Sequence, residues 1–379
     1  MCGCGNLRAF LFLEKYMDFL NEYNKDTKKM EGISTSAPGP RFWISTGNYI
    51  INKIISGKYK GGIGQGKMAA LAGPSSAGKS FLAGNIIKAA QDMGCGVLIV
   101  DSENALDDPF MEAIGANPHD DYYVYRGVST IQQGTAVVSS FLKSYRKHKE
   151  TKPFLIVVDS LDAMITESAM SAYEDGIVKG DQGQQAKQLK TMLSPFMHEI
   201  KDLNVAILCT KQVYKTQDPI EAKNPVTEWK LTEAIKYPFS QIMLVTRLML
   251  KDDATKKYEG IRLKVFGLKT RFTKPFQSAL IEVPYDKGMD PFAGVLEAAE
   301  ALGVITRNGA WYTFNGQKFQ SKNFASIQEQ VLEELIRRED EVLELKIEDA
   351  ELYEGEEDVE PTGAEKTKAA IEKRSGKEE

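Results

Sequence analysis

The segment Gly73–Ser80 has the residue types and the spacing of a phosphate-binding loop, G-x-x-x-x-G-K-S. Its glycines allow backbone amides to point at an anion, and the N-terminus of the helix that follows adds a favourable partial charge. Lys79 is predicted to pair with the phosphates, and the Ser80 hydroxyl to ligate Mg²⁺. The expected nucleotide contacts are the loop residues Gly73, Pro74, Ser75, Ser76, Ala77, Gly78, Lys79 and Ser80. The loop therefore predicts a site for ATP and Mg²⁺.

A second, acidic anchor for Mg²⁺ follows an apolar run. Phe154–Asp159 reads Phe-Leu-Ile-Val-Val-Asp, which is the Walker B pattern of a buried strand that ends in a carboxylate. We predict that Asp159 and Ser80 together hold the metal. Capping of a helix after the strand is the alternative role for this carboxylate.

Hydrolysis also needs a group that orients the attacking water. Glu103 comes two residues after the apolar run Val97–Asp101, and ligands of open parallel sheets bind outside the carboxyl ends of the strands. We therefore predict that Glu103 is the catalytic carboxylate. Gln212 follows another apolar run, Val205–Thr210, and its amide is expected to sense the γ-phosphate and to pass that signal into the next loop.

Apolar strand patterns alternate with helical patterns over residues 41–285. Such alternation predicts an α/β fold with a mostly parallel central sheet that is covered by helices. Helices are predicted at Lys79–Met93, Ile131–His148 and Gln184–Leu203, and the strand before the phosphate loop at Met68–Ala72. An antiparallel hairpin and one more strand are expected to extend the sheet, at Gln241–Leu250, Ile261–Lys269 and Ala279–Pro284.

The composition disfavours several classes of protein. With 379 residues and 42% hydrophobic content, the chain is long enough for a large globular domain with smaller attachments. No apolar run approaches the ~20 residues of a membrane span, and the N-terminal segment lacks a signal-peptide cleavage pattern. Cys2 and Cys4 are too few for a zinc site, and the cysteine usage fits a reducing compartment. A cytoplasmic protein is expected.

Four regions are predicted along the chain. Residues 1–40 hold an amphipathic helix over 6–24 and a polar linker, residues 41–285 the core, and residues 286–338 a small α+β domain. Residues 339–379 carry 16 acidic and 6 basic side chains, whereas the whole chain has a net charge of −5. This acidic tail is predicted to be disordered; it either competes with nucleic acid for the basic body or keeps the chain soluble.

Taken together, these segments resemble the RecA-type recombinases, most closely the phage UvsX branch. The resemblance runs from about residue 41 to residue 325 and rests on an ordered series of motifs. Beyond the P-loop, these are Ile44-Ser45-Thr46-Gly47, Asp101-Ser102-Glu103-Asn104-Ala105-Leu106-Asp107, Val157-Val158-Asp159-Ser160, Gln212, Asp290-Pro291-Phe292-Ala293-Gly294 and Gly309-Ala310-Trp311-Tyr312. The resemblance implies a RecA-like P-loop ATPase core, an N-terminal arm that docks on a neighbouring subunit, and Phe110 against the adenine.

The function implied by this resemblance is ATP-dependent DNA strand exchange in the bacterial or phage-infected cytoplasm. Subunits would form a helical filament on single-stranded DNA and pair it with homologous duplex DNA, with mediator and single-strand-binding proteins as expected partners and no membrane. Lys269-Thr270-Arg271 before Pro275-Phe276 matches the family's K-x-K pair, which reaches the γ-phosphate of the adjacent subunit. Arg271 replaces the second lysine and offers bidentate contact.

In this family two loops line the filament axis and bind single-stranded DNA. They correspond here to about residues 166–188 and 213–234. Basic groups beside glycines or aromatic rings suit phosphate and stacking contacts without sequence preference. The candidate DNA contacts are Lys179, Gly180, Gly183, Gln184, Lys187, Tyr214, Lys215, Trp229 and Lys230. The second loop departs from the family because it lacks paired glycines and carries Glu221, Glu228 and Glu233.

Two other functions share parts of this pattern. A hexameric helicase motor would use the same P-loop, Walker B carboxylate and trans cation, but the module around Trp311 and the lack of a helicase-type N-terminal domain disfavour it. A non-catalytic recombination mediator would retain a decayed ATP site. The intact motif residues argue against such decay, namely Gly78, Lys79, Ser80, Glu103 and Asp159.

Overall fold

An eight-stranded sheet forms the centre of the fold. A computed structural model describes residues 17–30, 39–177, 183–224, 226–251, 258–284 and 288–339. The strands are β1 (Trp43–Ile44), β2 (Ile63–Gly64), β3 (Met68–Gly73), β4 (Gly96–Asp101), β5 (Tyr123–Gly127), β6 (Phe154–Asp159), β7 (Val205–Gln212), β8 (Tyr214–Lys215), β9 (Trp229–Lys230), β10 (Gln241–Lys251), β11 (Tyr258–Thr270), β12 (Ser278–Pro284), β13 (Thr306–Asn308), β14 (Trp311–Phe314) and β15 (Gln317–Phe319). The central sheet has the order β12-β11-β10-β3-β7-β6-β4-β5.

Helices cover this sheet on both sides. They are α1 (17–27), α2 (Tyr49–Ser56), α3 (Lys79–Asp92), α4 (Asp108–Ile114), α5 (Ile131–Lys147), α6 (Glu167–Glu174), α7 (Gln184–Glu199), α8 (Glu233–Lys236), α9 (Val295–Ala301) and α10 (Gln328–Arg337). Local caps explain where several of them begin. The Asn48 side chain accepts from two amides of α2, and Thr130 forms a capping box with Gln133 at the start of α5.

Two predicted segments fall largely outside the described residues. Of the helix predicted over 6–24, the structure describes the part from residue 17 onward, as α1. The predicted acidic tail lies outside the described residues beyond Glu339. Docking of the N-terminal arm and disorder of the tail therefore stay predictions.

Side chains along each strand point alternately to the two faces of the sheet, so the core has two layers, one on each face. Ala69 and Leu71 pack into the cluster that contains Ile86 of α3, whereas Ala70 and Ala72 face the opposite cluster. Because side chains on a strand point alternately to opposite faces, a strand that is apolar throughout is buried on both sides. The predicted α/β fold with a mostly parallel, helix-covered sheet is therefore confirmed.

The strand register aligns the carboxyl ends at which we expected chemistry. Strands β3, β7, β6, β4 and β5 are parallel, and β10 pairs with β3 in the same sense. Gly73 lies beside Gln212, and Asp101 lies beside Asp159. The pairings of β11 with β10 and of β12 with β11 are antiparallel.

The small C-terminal region shares the core of the sheet. In its three-stranded sheet, β13-β14-β15, the turn between β14 and β15 is Asn315-Gly316, and both residues have positive φ, which is typical of a two-residue hairpin turn. Tyr312 and Val331 belong to the same hydrophobic cluster as Ile281 of β12. The region is thus continuous with the core, and a separate domain at residues 286–338 stays a prediction.

Strand β5 and helices α2 and α4 are among the elements that were not predicted from the pattern. Strand β5 is only partly buried at the sheet edge, so it lacks the continuous apolar run that marks its neighbours. Helices α2 and α4 span 8 and 7 residues, too short for a clear period. Within the described ranges, no helix combines the length and apolar character needed to cross a membrane.

Candidate functional site

An open cavity of about 380 Å³ lies at the carboxyl edge of the sheet. The residues that line it come from the segments after β3, β4 and β6, including the first turns of α3 and α4, from the end of β7 and from β10. They are Ser75, Ser76, Ala77, Gly78, Lys79, Ser80, Phe81, Glu103, Ala105, Phe110, Ser160, Gln212 and Arg247. The loop predicted to bind phosphate therefore shares one cavity with Glu103, Gln212 and Phe110.

The P-loop takes its shape from two glycines. Gly78 precedes the first residue of α3 and has a φ of 93°. Residues other than glycine rarely adopt this backbone conformation. Gly73 allows β10 to approach, because a Cβ at this position would lie 2.4 Å from the carbonyl oxygen of Val245. The loop is thus held between the end of β3 and the N-terminus of α3, where amides favour an anion.

Lys79 lies inside the loop and contacts its backbone. Its Nζ donates to the carbonyl oxygens of Gly73, at 3.1 Å, and Pro74, at 2.8 Å. Burial lowers the pKa of this ammonium, and the carboxylates of Glu103, Asp159 and Asp162 act in the opposite direction. A phosphate in the loop would supply stronger, charge-assisted acceptors for the same group.

Asp159 and Ser80 fit a divalent cation. Asp159 is buried; its Oδ1 accepts from the Thr210 hydroxyl, whereas Oδ2 is buried without a hydrogen-bond partner among the described residues. Burial raises the pKa of Asp159, and the hydroxyls of Thr210 and Ser80 oppose that shift. A carboxylate oxygen left without a donor, beside a serine hydroxyl, is the type of oxygen set that Mg²⁺ takes in P-loop sites.

Glu103 is held at both its backbone and its carboxylate. The Asp101 carboxylate accepts from the Glu103 amide at 2.9 Å and from the Leu106 amide at 3.1 Å, which closes the turn after β4. The Ser160 hydroxyl donates to Oε1 of Glu103. Glu103 itself is exposed to the cavity. The turn therefore presents a carboxylate of defined position to a molecule in the cavity.

Asp101 is an unpredicted positioning residue of this turn. It is fully buried and also accepts from the Tyr125 hydroxyl on β5 at 3.1 Å. Burial and the Asp101 carboxylate raise the pKa of Tyr125 to about 12, so its hydroxyl stays protonated as a donor. A buried carboxylate needs such donors.

Gln212 ends β7 directly beside the P-loop strand. Oδ2 of Asp162, which follows β6, accepts from the Gln212 amide nitrogen at 2.5 Å, and its Oδ1 pairs with Lys211. Gln185 at the start of α7 donates to the Asp162 carbonyl oxygen at 2.9 Å. A connected set of hydrogen bonds thus joins the cavity to the first candidate DNA loop.

Phe110 lies at the other end of the cavity, on α4. The Asp107 side chain accepts from the Phe110 amide at 2.9 Å and begins that helix. Helix α4 packs closely on α3, since a Cβ at Gly84 would lie 2.6 Å from Ile114. Phe81, in the first turn of α3, also lines the cavity and was not predicted.

Lys269 and Arg271 lie away from their own P-loop. Lys269 pairs with Ile242, which is level with Ala70 in the middle of β3, so it lies three residues before Gly73, where the loop begins. Its Nζ donates to the carbonyl oxygen of Lys236 at 2.8 Å. Neither residue lines the cavity. Contact of this pair with a phosphate bound to a neighbouring subunit stays a prediction.

The first candidate DNA loop is described only in part. Helix α6 ends at Glu174, and Lys179 and Gly180 lie outside the described residues. Gly183 has a φ of 78° and begins α7, whose first turns carry Gln184 and Lys187. The three described candidates thus lie at one helix N-terminus.

The second candidate DNA loop is an ordered ribbon. Strands β8 and β9 pair Tyr214 with Lys230 and Lys215 with Trp229. Two of its lysines contact glutamates of the same loop: Lys215 pairs with Glu228 at 2.9 Å, and Lys230 with Glu221 at 2.5 Å. The exposed ring of Tyr214 lies next to these pairs in the ribbon. Glu221 and Glu228, two of the acidic residues that set this loop apart in sequence, therefore pair with lysines expected to bind DNA.

Comparison with known proteins agrees with this architecture. The family model described as the RecA N-terminal domain matches residues 42–290. Protein RecA of Aquifex pyrophilus is 28% identical over 303 residues, covering 78% of this chain and 82% of that protein. Protein RecA of Phytoplasma mali (strain AT) is 27% identical over 287 residues, covering 75% and 80% respectively. The matched segment contains the whole cavity and both candidate loops, and the chain belongs to the RecA N-terminal domain family.

Proposed function

We propose that this protein is an ATP-dependent DNA strand-exchange recombinase, similar to the phage UvsX branch. The observation that carries the proposal is the cavity shared by the P-loop, Glu103 and Gln212. It brings a phosphate cradle, a carboxylate for water and an amide for the γ-phosphate within reach of one nucleotide. Membership of the RecA family and the presence of two loops beyond the same edge of the sheet support the DNA-dependent part of the proposal.

ATP hydrolysis in this site is proposed to begin with water attack on the γ-phosphorus. Glu103 accepts a proton from the water, the bond between the γ-phosphorus and the β–γ bridging oxygen breaks, and ADP and phosphate result. Lys79 stabilises negative charge on the phosphates. Ser80 and Asp159 would hold Mg²⁺, which when bound neutralises charge on the β- and γ-oxygens.

A neighbouring subunit is proposed to complete the site with Lys269 and Arg271. In their own subunit both residues lie level with the part of β3 that precedes Gly73; Lys269 is level with Ala70, three residues or roughly 10 Å before Gly73. Two cations placed there lie within reach of a second copy of the chain. A head-to-tail contact that does not close produces a helical filament, which matches polymerisation on DNA.

Nucleotide and DNA are proposed to be coupled through Gln212. The side chain lines the cavity, and the residue that follows begins the second loop. Asp162 joins its backbone to Gln185 at the start of α7, beside the first loop. A shift of Gln212 toward a γ-phosphate would therefore move groups that belong to both loops.

The proposal is tested by an ATPase assay with and without single-stranded DNA, combined with electron microscopy. We expect faster hydrolysis in the presence of single-stranded DNA and open helical filaments on it when ATP is supplied. The recombinase assignment would be wrong if the hydrolysis rate did not respond to DNA and no extended polymers formed. Closed rings would instead favour a helicase motor.

The ion pairs of the second loop predict that its glutamates weaken DNA binding. Glu221→Gln with Glu228→Gln leaves Lys230 and Lys215 available to phosphates. We expect tighter binding of single-stranded DNA and a steeper loss of affinity with salt, by roughly 0.7 in logarithmic slope for each additional phosphate that the lysines neutralise. Fluorescence anisotropy of a labelled oligothymidine, titrated at several salt concentrations, measures both quantities.

A matched control removes the same number of charges elsewhere. Glu329→Gln with Glu333→Gln, on α10, lowers the negative charge by the same amount without touching the loop. If both double variants tighten DNA binding equally, net charge is responsible and the ion pairs are not. If neither changes the salt dependence, the two lysines do not contact DNA.

A further inference from the structure

Arg247 lines the nucleotide cavity, although no sequence motif points to it. It lies on β10, whereas the other residues around the cavity come from the P-loop, from α3 and α4, and from the ends of β4, β6 and β7. An arginine presents a planar set of donors that matches phosphate oxygens. Its place in this cavity therefore needs an explanation.

The strand register brings Arg247 to the height of the P-loop. Leu244 pairs with Ala72, so Val245 is level with Gly73, and Arg247 lies two residues further, roughly 7 Å beyond the end of β3. Val245 packs in the cluster that contains Ile86 of α3. Because residues two apart on a strand share a face, Arg247 lies on the α3 side of the sheet, beside the loop.

Arg247 lines the same cavity as the P-loop. None of the ion pairs within the described residues involves Arg247, which is exposed on the cavity side. Arg262, on the neighbouring strand β11, differs in this respect, because it pairs with Glu282 at 2.8 Å. An arginine that lines an anion cradle in this way suits an anionic ligand.

The position along the cavity indicates which part of a nucleotide Arg247 would contact. Phe110 and Ala105 follow β4, which lies three strands from β3 on one side of the sheet, whereas β10 lies next to β3 on the other side. A nucleotide with its base against Phe110 extends its phosphates toward β3. The phosphates in the loop then lie between Gln212 of β7 and Arg247 of β10, and Gln212 is the group expected to sense the terminal phosphate.

We propose that Arg247 binds the terminal phosphate of a nucleoside triphosphate within its own subunit and so distinguishes triphosphate from diphosphate. Together with Gln212, it flanks the P-loop from the two strands adjacent to β3. The inference rests on the proposed nucleotide site and adds to it a second cation from the same subunit. Lys269 and Arg271 would then act from the neighbouring subunit on a phosphate already held by Arg247.

Equilibrium titration of the full-length protein with fluorescent ATP and ADP analogues in Mg²⁺ buffer tests this proposal. For Arg247→Gln we expect ATP affinity to fall about 10- to 100-fold, the range for loss of a hydrogen bond to a charged group, and ADP affinity to stay unchanged. Arg247→Lys keeps the charge without the planar fork and should lose less. Unchanged ADP binding also shows that the P-loop of the variant is folded.

Arg262→Gln is the matched control, since it removes the same guanidinium from the adjacent strand without altering the cavity, and it should bind both nucleotides like the wild type. The inference is overturned if Arg247→Gln binds ATP with the affinity of the wild type, or if its affinities for ATP and ADP fall by the same factor. It is also overturned if only DNA affinity changes. If the wild-type protein bound neither nucleotide, the proposed nucleotide site itself would be wrong.

Discussion

Replacing Lys79 with alanine is expected to abolish ATP binding at concentrations that saturate the wild-type protein. The ammonium lies within the P-loop, and its contacts with the Gly73 and Pro74 carbonyl oxygens show that it reaches the loop interior. A hydrogen bond to a charged group contributes about 1.5–3 kcal/mol, and Lys79 would make more than one with the phosphates. We therefore expect affinity to fall by at least about 100-fold, measured by isothermal titration calorimetry with Mg²⁺-ATP.

The control for this change lies on the same helix. Lys88 is exposed on α3 and pairs with Asp92 one turn later, at 2.5 Å. Lys88→Ala removes an equal charge from the helix without reaching the cavity, so its ATP affinity should match the wild type. Normal nucleotide binding by Lys79→Ala would contradict the role of the P-loop.

Glu103→Gln is expected to bind ATP and to hydrolyse it very slowly. Glutamine has nearly the same shape, and its amide oxygen still accepts from the Ser160 hydroxyl, so the turn after β4 should keep its position. The amide cannot accept a proton from water, however. General-base catalysis contributes about 10²–10⁴-fold to a rate, and a loss of this size is expected in the turnover number, measured by phosphate release with saturating ATP.

Glu112 provides the comparison for this second variant. It lies on α4, close to the cavity, and its carboxylate contacts His119 at the surface. Glu112→Gln should hydrolyse ATP at the wild-type rate. If Glu103→Gln turned over equally fast, another group would have to activate the water, and the cavity as described would not account for catalysis.

A large part of the fold could be predicted from the sequence because its signals are local. Phe154–Asp159 has the predicted bounds, and α3 differs from its predicted range by one residue at its end. Apolar runs buried on both faces and a glycine-rich turn into a helix depend on consecutive residues. Strand β5 lacks such a signal, because it lies at the sheet edge and is only half buried.

The second candidate DNA loop shows the limit of such prediction. The sequence predicts a loop with cations and aromatic rings. From the sequence alone, the glutamates are only a difference from the family pattern, and their partners are not predicted. In the structure, Lys215 and Lys230 each contact one of those glutamates across a two-stranded ribbon. A pairing between residues that are about 9 to 13 positions apart depends on the register of the ribbon, which composition does not specify.

The sequence by itself determined the proposed nucleotide site, because the P-loop motif, Asp159 and Glu103 are each defined by a short segment whose backbone geometry follows from its own residues. Only the tertiary structure decided which groups surround that site. Asp101 holds the Glu103 turn, and Arg247 enters the cavity from a strand far along the chain, because β10 inserts beside β3 in the sheet. Side chains that meet through strand order have no shared pattern in sequence, so their contacts become visible only when the chain is folded.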